Sequence, residues 1–159
     1  MQKFKSPAVF LALVSLLLIA ACDSQSDPVV IPTPRDVAKA DYTTLPSGLK
    51  IYDFTAGEGV LAEKGSTVQV HYALWLENNV LIESSLLTGR PIAVNLGTGE
   101  VIAGWDEGLV GMREGGDRQL VIPPALAYGA EGIPSSGIPP NATLVFEVVL
   151  IAVAVPDGI

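Results

Sequence analysis

Two short clusters of apolar and aromatic residues have the residue types and spacing best suited to a chemical role. They are Val101-Ile102-Ala103-Gly104-Trp105 and Ala127-Tyr128-Gly129. Trp and Tyr each combine a large apolar ring with one polar group, so they can line a dry pocket that grips an apolar ring and offers hydrogen bonds. The alternative for Trp105 alone is ordinary helix-to-sheet core.

The composition excludes several other kinds of chemistry. One Cys and one His cannot build a multi-ligand metal site or a disulfide framework. The net charge of −8, without clusters of basic residues, argues against nucleic-acid binding. The stretch Gly97-Thr98-Gly99 lacks the third glycine of a dinucleotide-binding fingerprint. We therefore expect no metal, no cofactor and no nucleic-acid partner.

The elements that position the two clusters are mostly strands. Alternating or β-branched stretches predict strands at 49–54, 66–77, 80–85, 91–96, 118–122 and 143–153. The best helix candidate is 105–112, where Trp105, Leu109 and Met112 recur at helical spacing. Antiparallel strands with a single helix define an α+β domain, and that helix must cover the apolar face of the sheet.

The first 21 residues have the layout of a secretory signal peptide. Lys3 and Lys5 precede an apolar run that is short for a membrane span and ends in small residues. Cys22 follows Ile19-Ala20-Ala21 directly, which resembles the lipobox of bacterial lipoproteins. We expect Cys22 to be lipidated; the alternative is an ordinary signal peptide followed by an incidental Cys.

The next segment, 22–41, is polar and rich in proline, and such segments are extended and semi-rigid. It is predicted to be a tether between the lipidated Cys and a domain at 42–159, although a tail without a specific task fits equally well. The expected location is the bacterial cell envelope, with the domain facing the periplasm. Asp23 resembles an inner-membrane retention signal, but the choice between the two membranes stays open.

Five motifs occur in an order that resembles the FKBP family of peptidyl-prolyl cis/trans isomerases, from about Leu45 to Ile151. They are Val70-His71-Tyr72, the stretches 104–108 and 111–116, Ala127-Tyr128-Gly129, and the stretch 138–146. The resemblance implies an antiparallel, five- to six-stranded curved sheet wrapped around one short helix. It also implies catalysis of rotation about X-Pro peptide bonds.

That reaction accounts for the apolar character of the clusters. Rotation about an X-Pro bond crosses a barrier near ~20 kcal/mol because amide resonance is lost, yet no bond is broken. No nucleophile or metal is therefore required. A nonpolar pocket favours the twisted amide, and fixed hydrogen bonds hold the flanking carbonyl groups, so that the twisted state binds better than either planar state.

The family's site is carried over by resemblance. Trp105 would form the floor under the proline ring, with Tyr72 and Phe146 as walls. The Ile102 N–H and the Tyr128 hydroxyl would donate to substrate carbonyl groups. The residues expected to act in catalysis are Tyr72, Glu83, Ile102 and Tyr128. The residues expected to bind substrate are Ile82, Ile92, Val101, Trp105, Ile133, Ile138 and Phe146.

The rim departs from the family pattern. Glu83 stands where the family usually has Asp, Ile82 and Ile92 stand where it often has Phe, and Thr88 stands where many members have Arg. The overhanging loop is about one residue longer, at 135–137. These changes leave open the catalytic rate and the affinity for macrolide inhibitors.

Three functions remain open at this point. The first is an active isomerase acting on proline-containing polypeptides that are exported or reside in the envelope. The second is a noncatalytic binding module or chaperone that uses the same pocket. The third is a purely structural lipoprotein, which predicts no proline-sized pocket beside Trp105. The partners expected are proline-containing polypeptides, macrolide inhibitors and the membrane through the anchor; too few residues precede the domain for a dimerisation unit, so we expect a monomer.

Overall fold

The structure is a computed structural model that describes residues 31–154. The predicted signal peptide and Cys22 lie outside the described residues, as does the first part of the predicted tether. Within 31–154, no helix has the length and apolar character needed to cross a membrane.

Residues 31–154 contain seven strands and one short α-helix. The strands are β1 (Thr43–Thr44), β2 (Lys50–Thr55), β3 (Thr67–Leu76), β4 (Leu81–Ser84), β5 (Ile92–Asn95), β6 (Asp117–Ile122) and β7 (Leu144–Ala154). The helix, α1, spans Ala103–Gly108, and single turns of 3₁₀-helix occur at Ser85–Leu87, Pro124–Leu126 and Pro134–Ser136.

All strands pair antiparallel in one sheet with the order β1-β2-β6-β7-β3-β4, and β5 pairs with the first half of β3. The predicted α+β fold with an antiparallel sheet and one helix is confirmed. In the described part of the chain the sheet has seven strands rather than five or six, because it includes β1, whose two residues are too few to show an alternating pattern.

One face of the sheet carries the core. Successive side chains of a strand point to opposite faces, so every second residue of β3 and β7 shares the covered face. These residues are Val68, Val70, Tyr72, Leu74, Leu144, Phe146, Val148 and Leu150, and all of them belong to one buried cluster with Trp105 and Leu109.

Two glycines let α1 lie directly on β6. A Cβ at Gly104 would come within 2.4 Å of the Ile122 side chain, and a Cβ at Gly108 would come within 2.8 Å of the Leu120 side chain. Any larger residue would push the helix away from the sheet. Because Trp105 lies between these glycines, the same close approach sets the depth of its indole ring.

The helix bounds predicted from the sequence, 105–112, are wrong. The helix starts at Ala103 and ends at Gly108, and the Leu109 N–H donates to the Trp105 carbonyl oxygen at 2.9 Å as the C-cap. Gly111 then adopts a φ of +86° and turns the chain. Leu109 and Met112 are buried although they lie in the turn after the helix. Their spacing in the sequence is the same as in a helix, so the apolar pattern alone could not show where the helix ends.

On the opposite, outer face, an arm at 31–41 contacts the sheet through Arg35. Its guanidinium forms a two-bond pair with Asp117 (2.6 and 2.8 Å) and donates through Nε to Glu147 at 2.9 Å. The Arg35 backbone N–H also donates to Glu147, and the Arg35 carbonyl accepts from Gln119 at 2.9 Å. The guanidinium carbon lies 3.4 Å from the centre of the Phe54 ring. We call this set, with Arg35 at its centre, the Arg35 clasp; part of the predicted tether thus contacts the domain.

Candidate active site

A cavity of about 420 Å³ opens between the covered face of the sheet and the start of α1. This volume lies within the range of small-molecule binding sites. Eight of the eleven residues predicted for the site line it: Tyr72, Glu83, Ile92, Val101, Ile102, Trp105, Tyr128 and Phe146. The two clusters from which the prediction started therefore meet in one pocket.

The base of the pocket is a triangle of aromatic rings. The Trp105 ring lies 5.2 Å from the Tyr72 ring and 5.3 Å from the Phe146 ring, edge to face in both cases. The Tyr72 and Phe146 rings are 6.2 Å apart and tilted by 45°. Such pairs gain about 0.5–1.5 kcal/mol each beyond the area that they bury. The rings therefore form a stiff apolar surface.

Strand register brings these rings together. Tyr72 pairs with Val148 and Leu74 pairs with Phe146 in the β3–β7 ladder, so the aromatic side chains emerge on the same face. Trp105 sits in the first turn of α1, where it is 4% exposed. Its Nε1 is buried and lacks a hydrogen-bond partner within residues 31–154. The three rings at the base are each at most 9% exposed, so this surface is shielded from solvent.

Ile102 presents an available backbone donor at the mouth. It is the N-cap of α1, and its carbonyl oxygen accepts from the Trp105 N–H at 2.9 Å. The Ile102 N–H makes no hydrogen bond to any described residue. Backbone N–H groups at a helix start are left without intrahelical partners, so they are free to bind a ligand.

Two phenols, Tyr72 and Tyr128, and two carboxylates, Glu83 and Glu100, carry the polar side-chain groups of the lining. Burial raises the pKa of Tyr72 well above its usual value, and the hydrogen bond and charge of Glu83 raise this pKa further. Burial also raises the pKa of Tyr128, with a smaller contribution from the Glu83 charge. Both hydroxyl groups therefore stay protonated at neutral pH and remain able to donate hydrogen bonds.

Three predicted substrate-binding residues do not line the cavity. Ile133 and Ile138 pair with each other across the overhanging loop, through N–H···O bonds of 2.8 and 3.0 Å. Ile82 packs against the core, and its side chain also lies next to Gly137 of that loop. These three residues support the loop beside the pocket, and their predicted contact with substrate stays a prediction.

Three lining residues were not predicted: Leu74, Gly99 and Glu100. Leu74 lies two residues after Tyr72 on the same strand, so the period of two could have identified it. Glu100 and Gly99 directly precede the Val101 cluster, but neither belongs to a motif that the family resemblance used. In residues 31–154 no three His, Cys, Asp or Glu side chains are placed to hold a metal ion.

These features define a domain that holds a small apolar ring against aromatic side chains and offers hydrogen-bond donors to the groups beside it. Comparison with known proteins agrees. The model of the family described as FKBP-type peptidyl-prolyl cis-trans isomerase matches residues 59–151. An FK506-binding protein of Neisseria meningitidis serogroup B is 51% identical over 106 residues, which cover 67% of this chain and 96% of that protein.

Solved structures give the same result. FkpA from Escherichia coli superposes with a TM-score of 0.66 and 41% identity, covering 72% of this chain and 52% of that one. A peptidyl-prolyl cis-trans isomerase from Pseudomonas syringae has the same TM-score at 35% identity, covering 74% and 84%. This chain belongs to the FKBP family and is a peptidyl-prolyl cis-trans isomerase.

Proposed function

We propose that this domain catalyses X-Pro bond rotation in exported or envelope proteins and so assists their folding. The observation that carries the proposal is the pocket base, where Trp105, Tyr72 and Phe146 form an apolar, largely buried aromatic surface. A proline ring seated there would be held while the rest of the chain turns.

The mechanism follows from the groups around that base. The ring of proline packs on Trp105, and the unpaired Ile102 N–H donates to a carbonyl beside it. Tyr128 keeps its proton and donates to a second carbonyl. These bonds hold the two ends of the rotating amide, and the apolar surround favours the twisted form, which has less charge separation. Each tenfold acceleration needs only about 1.4 kcal/mol.

Exchange spectroscopy by NMR on an X-Pro peptide tests the activity without a coupling protease. We expect faster cis/trans exchange in the presence of the protein and a return to the uncatalysed rate when a macrolide of the FK506 type competes for the pocket. The relatives named for FK506 binding motivate that competitor. Peptide binding without acceleration would instead support a noncatalytic binding module or chaperone.

We further propose that the mature chain begins at a lipidated Cys22 and is held at the cell envelope as a monomer facing the periplasm. The lone Cys directly after an apolar, small-residue segment supports this. Mass spectrometry of the mature N-terminus tests lipidation, with Cys22→Ser as the control; an unmodified Cys22 would contradict the anchor. Two further measurements test the location and the oligomeric state. Fractionation of envelope membranes decides between the inner and outer membrane. Sedimentation of the domain without its anchor measures the oligomeric state.

A further inference from the structure

The charged residues of the pocket are all acidic. Glu83 and Glu100 line it, and among the described lining residues there is no Lys, Arg or His. The remaining titratable lining residues, Tyr72 and Tyr128, are neutral at physiological pH. Glu83 is one of the residues expected to act in catalysis, but rotation about an X-Pro bond transfers no proton, so the charge of these two carboxylates is available for a second role in the choice of substrate.

Glu100 is held in position beside the Val101 cluster. Its Oε2 accepts from the Asn95 side-chain amide at 2.8 Å and from the Asn95 backbone N–H at 3.3 Å. Both donors are neutral, so they orient the carboxylate without cancelling its charge. Glu100 remains exposed, and a bound peptide can reach it.

Glu83 contributes a second charge from a different element. It lies on β4, is exposed, and forms no ion pair within residues 31–154. The Tyr72 hydroxyl near it is neutral and therefore does not compensate the carboxylate charge. Arg90, the basic residue nearest to it in sequence, likewise makes no ion pair in this part of the chain.

Three other acids of the domain are neutralised by arginines. Asp117 and Glu147 pair with Arg35, and Asp53 pairs with Arg118 at 2.6 Å. Arg35 and Arg118 thus neutralise acids on other surfaces, whereas no described Lys or Arg forms an ion pair with Glu83 or Glu100, so the pocket keeps uncompensated negative charge in a chain of net charge −8. Clefts lined by one sign of charge raise the local concentration of ligands of the opposite sign.

We propose that Glu83 and Glu100 make the pocket selective for prolines that have Lys or Arg beside them in the substrate chain. The inference rests on the proposed function of the pocket and names its preferred substrate class. An exposed ion pair favours its bound state by at most about fivefold in an equilibrium constant. The two carboxylates together should therefore give about threefold to tenfold selectivity at low ionic strength, and less as salt screens them.

The test uses three peptides that differ in one residue next to the proline: Lys, acetyl-lysine, which keeps the four-carbon stem of lysine but not its charge, and Glu. The residue is placed before the proline in one set and after it in another. NMR exchange gives kcat/KM and chemical-shift titration gives Kd for each peptide. The wild type is compared with Glu83→Gln, Glu100→Gln and the double variant. Glu58→Gln is the matched control, because Glu58 is exposed and lies outside the pocket lining.

We expect the Lys peptide to exceed the acetyl-lysine peptide by about threefold to tenfold in affinity and in kcat/KM, in at least one set. The Lys to acetyl-lysine ratio should fall toward one in the double variant and at high salt, and stay unchanged in Glu58→Gln. Since the ratio compares two peptides on one variant, it does not depend on any general loss of activity in Glu83→Gln.

Two results would overturn the inference while leaving the isomerase intact: a ratio near one in the wild type, or a raised ratio that persists in the double variant. If no peptide is isomerised, the proposed function fails instead. The Kd ratios then still decide whether the pocket prefers a cationic neighbour.

Discussion

Arg35 on the outer face of the sheet lies over the Phe54 ring and is paired with Asp117. On the covered face, Trp105 lies between aromatic rings, while Glu83 has no cationic partner among the described residues. Both places combine aromatic rings with carboxylates. On the outer face, Arg35 of the same chain pairs with the carboxylates and covers the ring. On the covered face, the aromatic surface is accessible in the pocket and the carboxylates have no cationic partner among the described residues.

The difference indicates which surface holds the structure together and which receives a ligand. A satisfied cluster such as the Arg35 clasp adds stability and fixes the arm, since its charges are already compensated. An aromatic pocket with an unpaired N–H at Ile102 and uncompensated carboxylates gains its interactions only when a peptide enters. Substitutions at the two places should therefore affect different measurements.

The largest effect is expected for Trp105→Ala. Removing a buried indole from the core costs about 3–5 kcal/mol in the free energy of unfolding. It also removes the floor of the pocket, so kcat/KM should fall by more than tenfold under conditions where the variant is still folded. Denaturant titration and NMR exchange measure the two quantities. Wild-type kcat/KM in folded Trp105→Ala would mean that the proline ring binds elsewhere.

Arg35→Ala should show the reverse pattern. Losing charge-assisted hydrogen bonds at a partly exposed site should lower the free energy of unfolding by about 1–2 kcal/mol, with kcat/KM within twofold of wild type. Without Arg35 the arm should detach from the sheet, so the backbone amides of residues 36–41 should exchange their hydrogens faster. Arg90→Ala, which removes an exposed arginine without an ion pair in the described chain, is the control and should change neither quantity.

Tyr128→Phe is expected to have a moderate and selective effect. It removes one donor to the substrate, worth about 1 kcal/mol, so kcat/KM should fall about fivefold. The free energy of unfolding should hardly change, because the Tyr128 hydroxyl has no hydrogen bond to a described side chain. An equal loss of stability and activity would assign Tyr128 to the fold rather than to substrate binding.

The smallest effect is expected from pH. The pKa values of Tyr42, Tyr72 and Tyr128 are all raised in the folded state, with burial as the main cause. The folded protein then binds more protons than the unfolded chain above the usual tyrosine pKa of 10.0. Stability from this source is complete below pH 10 and declines as pH rises beyond it. Tyrosinate absorbance and denaturation midpoints between pH 8 and 12 would test the sign; rising stability above pH 10 would contradict it.

Much of the fold could be predicted because its strands alternate clearly. The predicted bounds of strands β3 and β7 lie within one residue of those in the structure. The end of α1 could not be predicted, since Leu109 and Met112 are buried through a turn that keeps helical spacing. Strand β1 was not predicted, because its two residues are too few to show the alternation of apolar and polar side chains.

For the site, the family resemblance supplied the aromatic base, and the structure added the neighbours that only folding brings close. Glu100 lies in no motif, yet it reaches the pocket because it precedes Val101. Arg35 binds Asp117 and Glu147, which lie 82 and 112 positions further along the sequence, and no local pattern encodes such a pairing. Charge compensation is a property of the folded chain, so the contrast between the two faces could not be predicted.

The position of β7 at the centre of the sheet has a consequence for how the protein forms. This strand is the last one described, yet it pairs with β6 on one side and with β3, some 75 residues earlier, on the other. Contacts between residues so distant in sequence form slowly, because a long loop must close first. Since Phe146 belongs to β7 and Tyr72 to β3, the pocket exists only after these two distant strands have paired. A catalyst of proline isomerisation with this topology should therefore itself fold slowly.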